Sequence, residues 1–121
     1  MTRQRSILVS FILLFCLMAV ATPQDTKQRE SQLKTVHGEV MDKSDNKAPN
    51  SVVFLRNTRT NQVRSFIADE AGEYRFSGLD PNTDYEIHAE KDALKSQIRS
   101  VSSFDSRKDL TLNLKLDKKK D

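Results

Sequence analysis

The chain has 121 residues, with 20 Lys+Arg against 17 Asp+Glu, a single Cys and no Trp. That length suits one small domain and leaves little room for two. Arg3 and Arg5 belong to a distinct apolar stretch, so the sequence after residue 21 carries 18 basic against 17 acidic side chains. This near-neutrality argues against nucleic acid and against strong electrostatic attachment to a membrane.

Residues 1–21 read as an export signal. Arg3 and Arg5 form a basic start, Ile7 to Val20 an apolar run broken only by Ser10, and Ala19-Val20-Ala21 a small-x-small cleavage site. The mature chain is predicted to begin at Thr22. An uncleaved anchor helix is the rival reading, but a span needs ~20 apolar residues and this run is shorter. Gln4 separates the two arginines, against twin-arginine export. Cys16 follows Phe15 rather than the small residue that a lipid-anchored cysteine would need. Cleavage therefore leaves a mature chain without Cys, which excludes a disulfide and a Cys-ligated zinc site.

Residues 22–34 hold one large apolar side chain, Leu33. Such a segment cannot bury enough to offset its ordering entropy and is predicted to be a flexible leader. From residue 35 to 116 the hydrophobic period is two and the segments are short, as in an all-β sandwich. Val36, Gly38 and Val40 alternate with His37 and Glu39; Asp42 to Asn50 is a loop of turn formers. Val52-Val53-Phe54-Leu55 is apolar on both faces, as for a strand covered on both sides. Val63 to Ala68 follows a turn at Asn57 to Asn61. Asp69-Glu70-Ala71-Gly72 is a tight turn in which Gly72 takes the positive φ that other residues resist. Tyr74 and Phe76 share one face of the next strand, and Gly78 to Asp84 turns again. Tyr85, Ile87 and Ala89 alternate with Glu86, His88 and Glu90; Lys91 to Ser96 is predicted to be a loop, Gln97 to Ser102 a weak strand, and Ser103 to Lys108 a polar turn. Leu110, Leu112, Leu114 and Leu116 form the cleanest alternation, and a one-residue slip would expose all four. Leu112→Asp is therefore expected to abolish folding and Asn113→Asp to be tolerated. Residues 117–121 are predicted to be a charged, solvated tail. About seven strands result, the number of a small antiparallel sandwich.

Val36, Gly38, Val40 and Asp42, then Ala48 to Leu55, then Asp69 to Ile87 with its D-x-x-G-x-Y-x-F hairpin and G-L-x-P turn, occur in the order of a known pattern. Together they resemble the carboxypeptidase regulatory-like domain. The resemblance implies a transthyretin-like or immunoglobulin-like, seven-stranded antiparallel sandwich without catalysis, here in a free-standing exported form. Ser51 departs from the family's Gly-Ala, and Asn82-Thr83 from its frequent Gly, both expected at turn or edge positions. The chain ends in Asp117 to Asp121 rather than the Tyr-Arg-Gly-Ser of hydroxyisourate hydrolases, an enzyme relative within the transthyretin-like group, which argues against that activity.

No residue set suffices for catalysis. His37 and His88 are the only histidines and fall at outward positions, with no third zinc ligand beside them in sequence. Asp42, Asp45 and Asn46, or Asp69 and Glu70, could offer calcium hard oxygens, but without EF-hand spacing they read as Asx turns. A Lys-Asn isopeptide crosslink of the collagen-adhesin type is opposed by Gly78, which shares the Phe76 face, and by Asn113, which points away from the leucine face. No cofactor or metal is expected. Phe54, of opposite parity to Val53 and Leu55, and Phe104 and Arg107, in a segment the strand pattern leaves unexplained, are the candidate partner surface. The sequence thus predicts an exported module, periplasmic or secreted, that binds a protein or cell-envelope component, with no transmembrane span in the mature chain. The alternative is a carbohydrate-binding module, binding an envelope glycan.

Overall fold

The computed structural model of the chain describes residues 32–121. The export signal, its cleavage site and most of the predicted leader lie outside the described residues. The domain contains β1 (Lys34–Met41), β2 (Val52–Asn57), β3 (Val63–Ile67), β4 (Glu73–Leu79), β5 (Tyr85–Lys91), β6 (Leu94–Ser96), β7 (Arg99–Val101), β8 (Asp109–Thr111) and β9 (Leu114–Lys119). They follow one hydrogen-bonded path, β3-β2-β5-β6-β9-β1-β4, with β7 beside β5 and β8 beside β1. The path folds over, so that inward side chains from its two halves meet in a single core.

Alternation builds that core. Val36 and Val40 of β1, Val53 and Leu55 of β2, Tyr74 and Phe76 of β4, Ile87 and Ala89 of β5 and Leu114 and Leu116 of β9 are buried together. Gly78 takes φ 72 and breaks the alternation of β4, so that Leu79 rather than residue 78 faces inward. The pairing of β1 with β4 shifts register there, between Lys34 and Val36, as a bulge requires.

The turns follow their side chains. Asp69 Oδ1 accepts the N–H groups of Ala71 and Glu73 at 3.0 and 2.8 Å, and Gly72 has φ 73. Asp42 Oδ1 likewise accepts from Ser44 and Asn46 at 2.8 and 3.0 Å, which commits the first acidic loop to turn formation.

Among the described residues nine strands form where seven were expected, for two reasons. Residues 91–96, predicted as a loop, close a hairpin: Lys91 faces Leu94 in register, and Asp92 takes φ 54 at the turn, a conformation that Asp tolerates through local hydrogen bonding. The weak strand expected over 97–102 shrinks to β7, and Ile98 before it is exposed. The leucine run is also two strands. Residues 112 and 113 interrupt it, and Leu112 is only partly buried against the core while Leu110, Leu114 and Leu116 are fully inside. β1 begins at Lys34, inside the predicted leader, and β9 continues to Lys119, into the predicted tail. Ser51, expected at a turn or edge position, lies at the turn before β2 and is fully buried, its hydroxyl donating to Ala48 O at 2.8 Å.

Candidate functional site

Of the three residues of the sequence-derived partner surface, Phe104 stands out, for its side chain is 95% exposed. The loop beneath it is tied down. Ser103 N–H donates to Asp84 Oδ1 at 2.6 Å, Phe104 N–H to Ser102 Oγ at 3.1 Å, and Lys34 Nζ to Ser102 O at 3.0 Å. Arg107 grips Asp105 through two nitrogens, Nε to Oδ1 at 3.0 Å and Nη2 to Oδ2 at 2.7 Å, and its N–H also donates to Oδ1 at 3.1 Å. A flexible aromatic would lose entropy on capture; one held out by six such bonds loses less. A groove of about 300 Å³ lies along the base of the loop, lined by Lys34, Pro81, Asn82, Ser103 and Lys108 among others.

Electrostatics follow from the same contacts. The Arg107 side chain, then its N–H, pushes the Asp105 carboxyl down to about 2, and Asp105 in turn raises Arg107. The Ser103 N–H lowers Asp84, and Lys34 lowers it further. Both carboxyls are depressed in the folded state, so their contribution to loop order is complete above the usual Asp value of 3.8 and is lost as pH falls through the folded values. The amide resonance of Arg107 is expected to hold steady from neutral pH down to about 4 and to shift as pH falls through about 2, and that of Ser103 to shift only below the usual Asp value of 3.8. Asp84→Asn should move the Ser103 amide at neutral pH and leave that of Arg107 in place.

Phe54 lies elsewhere, on the outer face of β2, and its ring stacks on His88 at 5.2 Å with an interplanar angle of 23°. His88 Nε2 is also 3.1 Å from Glu90 Oε2. Partial burial raises Glu90, but the hydrogen bonds from His88 and Lys120 outweigh it and hold its carboxyl below the usual value. Phe54 lines two clefts, and neither of them includes Phe104. Arg107 is spent within its own loop, so it supports Phe104 rather than presenting a free charge. Lys34 was missed in sequence: it fell in the presumed leader, yet it is 97% covered, being 3% exposed, and bonds the base of the loop. Its place at an inward position of β1, in phase with Val36, was the available signal.

A cleft of about 590 Å³ includes His37, Glu39, Glu73, Arg75, Thr111 and Asn113. His37 Nε2 is 2.9 Å from Asp109 Oδ1 and 3.3 Å from Thr111 Oγ1. Both contacts fall on one ring nitrogen, whereas a proton relay needs acid and hydroxyl on opposite nitrogens. Among the described residues no three His, Cys, Asp or Glu side chains group as metal ligands, and no helix is long and apolar enough to cross a membrane.

The model of the carboxypeptidase regulatory-like domain family matches residues 35–117. Among curated proteins none matches the chain. The fold is similar to that of catechol 1,2-dioxygenase from Acinetobacter sp. ADP1, with TM-score 0.54 and 13% identity over 73% of this chain and 53% of that one. It is also similar to the shaft pilin SpaA from Lactobacillus rhamnosus GG, with TM-score 0.50 and 11% identity over 69% of this chain and 46% of that one. The chain thus spans about half the length of each of these two structures. At such identities the likeness is one of fold.

Proposed function

Since the chain belongs to the carboxypeptidase regulatory-like domain family, we propose that it is an exported, non-enzymatic β-sandwich module that binds a protein or another cell-envelope component through the loop of Phe104. The observation that carries this reading is the 95% exposure of Phe104 on a loop fixed by hydrogen bonds at both ends. Exposing a whole aromatic ring on a rigid support costs hydrophobic free energy that only capture recovers. Export is supported by the basic and apolar pattern of residues 1–21 and its small-residue cleavage site, and places the module in the periplasm or outside the cell. The carbohydrate-binding alternative has weaker support at Phe54, since one face of that ring is covered by His88. Retention of envelope material by the wild-type chain, compared with Phe104→Ala and Phe54→Ala, separates the two surfaces; loss with the first substitution alone is the expected result.

A further inference from the structure

We propose that the free edge of β3 pairs with β3 of a second copy of this chain, antiparallel about a two-fold axis at Ser65. The inference is independent of the role given to Phe104.

The sheet path has two outer strands, β3 and β4. Natural edges are commonly blunted by charge, bulges or proline. β4 carries both of the first two: Glu73 and Arg75 point outward, and Gly78 at φ 72 makes a bulge. β3, Val63-Arg64-Ser65-Phe66-Ile67, has no proline, lysine or glycine, pairs with β2 without a register shift, and is exposed at every residue. Val63 is 57% and Ile67 65% exposed.

Which backbone groups are free follows from the ladder. Asn57 N–H donates to Gln62 O and Ala68 N–H to Ser51 O. In an antiparallel pair hydrogen-bonded positions recur every second residue, so Arg64 and Phe66 turn their N–H and C=O toward Leu55 and Val53. Among the described residues nothing pairs with the far side of β3, where Val63, Ser65 and Ile67 turn theirs, three donors and three acceptors. Contact with β4 is made by the alternate side chains: Arg64 Nη1 donates to Ser77 O at 3.4 Å, and Phe66 meets Phe76 edge-on at 6.1 Å.

These groups complement themselves. With Ser65 opposite the partner's Ser65, the two serines exchange a pair of hydrogen bonds, and Val63 exchanges another with the partner's Ile67, as does Ile67 with the partner's Val63. All six free groups on each edge are then used. On the outer face Val63 packs against the partner's Ile67; on the inner face Arg64 lies opposite the partner's Phe66, and the two Arg64 side chains, diagonal neighbours across the axis, are each drawn back to Ser77 O of their own chain. Self-complementarity of hydrogen bonds and apolar pairs about one axis is what a two-fold interface requires. Five residues a side bury less than a standard interface, so the dimer is weak and concentration-dependent.

Sedimentation equilibrium of the full-length chain from ~10 µM to ~1 mM tests this. Wild type is expected to pass from monomer to dimer. Ser65→Lys and Ser65→Glu, each bringing like charges together at the axis, should weaken the dimer at least about fivefold. A 1:1 mixture of the two should dimerise again, because Lys then faces Glu only if position 65 sits at the axis. Circular dichroism of each variant should match wild type, as position 65 is exposed. A wild-type chain that stays monomeric throughout, or a dimer unmoved by either variant, would overturn the proposal; so would a mixture no tighter than its components.

Discussion

Gly38→Ala is expected to destabilise the domain by about 3 kcal/mol or more, the effect of one methyl group with nowhere to go. A Cβ at position 38 would lie 2.0 Å from the Leu112 carbonyl oxygen and 2.7 Å from its carbon, both backbone atoms. That backbone cannot retreat cheaply. Leu112 N–H donates to His37 O at 2.9 Å, Leu112 O accepts the Tyr74 hydroxyl, and Asn113 Oδ1 accepts Glu39 N–H at 3.0 Å. Burial pushes the Tyr74 phenol well above its usual range, Arg99 opposing the shift, so the hydroxyl stays a donor over the whole working pH range. Moving residue 112 by the distance the methyl needs would break or bend all three bonds, each worth about 1 kcal/mol. In a domain of this size the midpoint of thermal unfolding should fall by about 12 °C or more. A fall of only about 2 °C would show that β1 and residues 112–113 do not lie this close.

Leu114→Asp is expected to leave the chain unfolded at 25 °C. Leu114 is 1% exposed and heads β9, where Val40 faces it in register. Among the apolar side chains of the core the carboxylate would lie unpaired, at a cost of several kcal/mol against a total stability of ~5–15 kcal/mol. Leu112→Asp should be much milder and keep the domain folded, because Leu112 sits in the break between β8 and β9 and is only partly buried. Asn113→Asp retains an oxygen to accept Glu39 N–H and should change stability by less than about 1 kcal/mol. Far-ultraviolet circular dichroism of the three variants distinguishes this order from the one the unbroken leucine pattern implies, in which position 112 is as sensitive as 114.

Parity made most of the fold legible. A period of two located the cores of β1, β2, β4 and β5, and the Asx and Gly positions located the turns at Asp42 and Asp69. Where the reading slipped, backbone accommodation had overridden pattern. The four leucines read as one strand because nothing in their spacing reports that Gly38 admits the Leu112 carbonyl against β1. The hairpin at Lys91 to Leu94 was hidden because its turn rests on Asp92 in a left-handed conformation without a glycine. Gly38 itself was legible as part of a motif but not as a requirement for space, since its φ is ordinary and only the approach of a distant segment makes it necessary. At the candidate site Phe104 stood out as an aromatic among polar residues. Arg107 was singled out with it, but the rest of its support was not: Asp84 and Lys34 come from separate segments, and their convergence on the loop depends on how β1, the turn before β5 and the loop after β7 meet.

The account rests most heavily on Phe104 as the anchor of a binding surface, and the most direct measurement is retention of envelope material by immobilised full-length chain, wild type against Phe104→Ala. The substitution removes an exposed ring, so its melting temperature should stay within about 2 °C of wild type. Truncation of a central aromatic anchor typically costs 2 kcal/mol or more, so retention should fall at least about thirtyfold for the bound component. Phe54→Ala, on a separate face, should leave retention unchanged. Equal retention by wild type and Phe104→Ala, with both folded, would contradict the account.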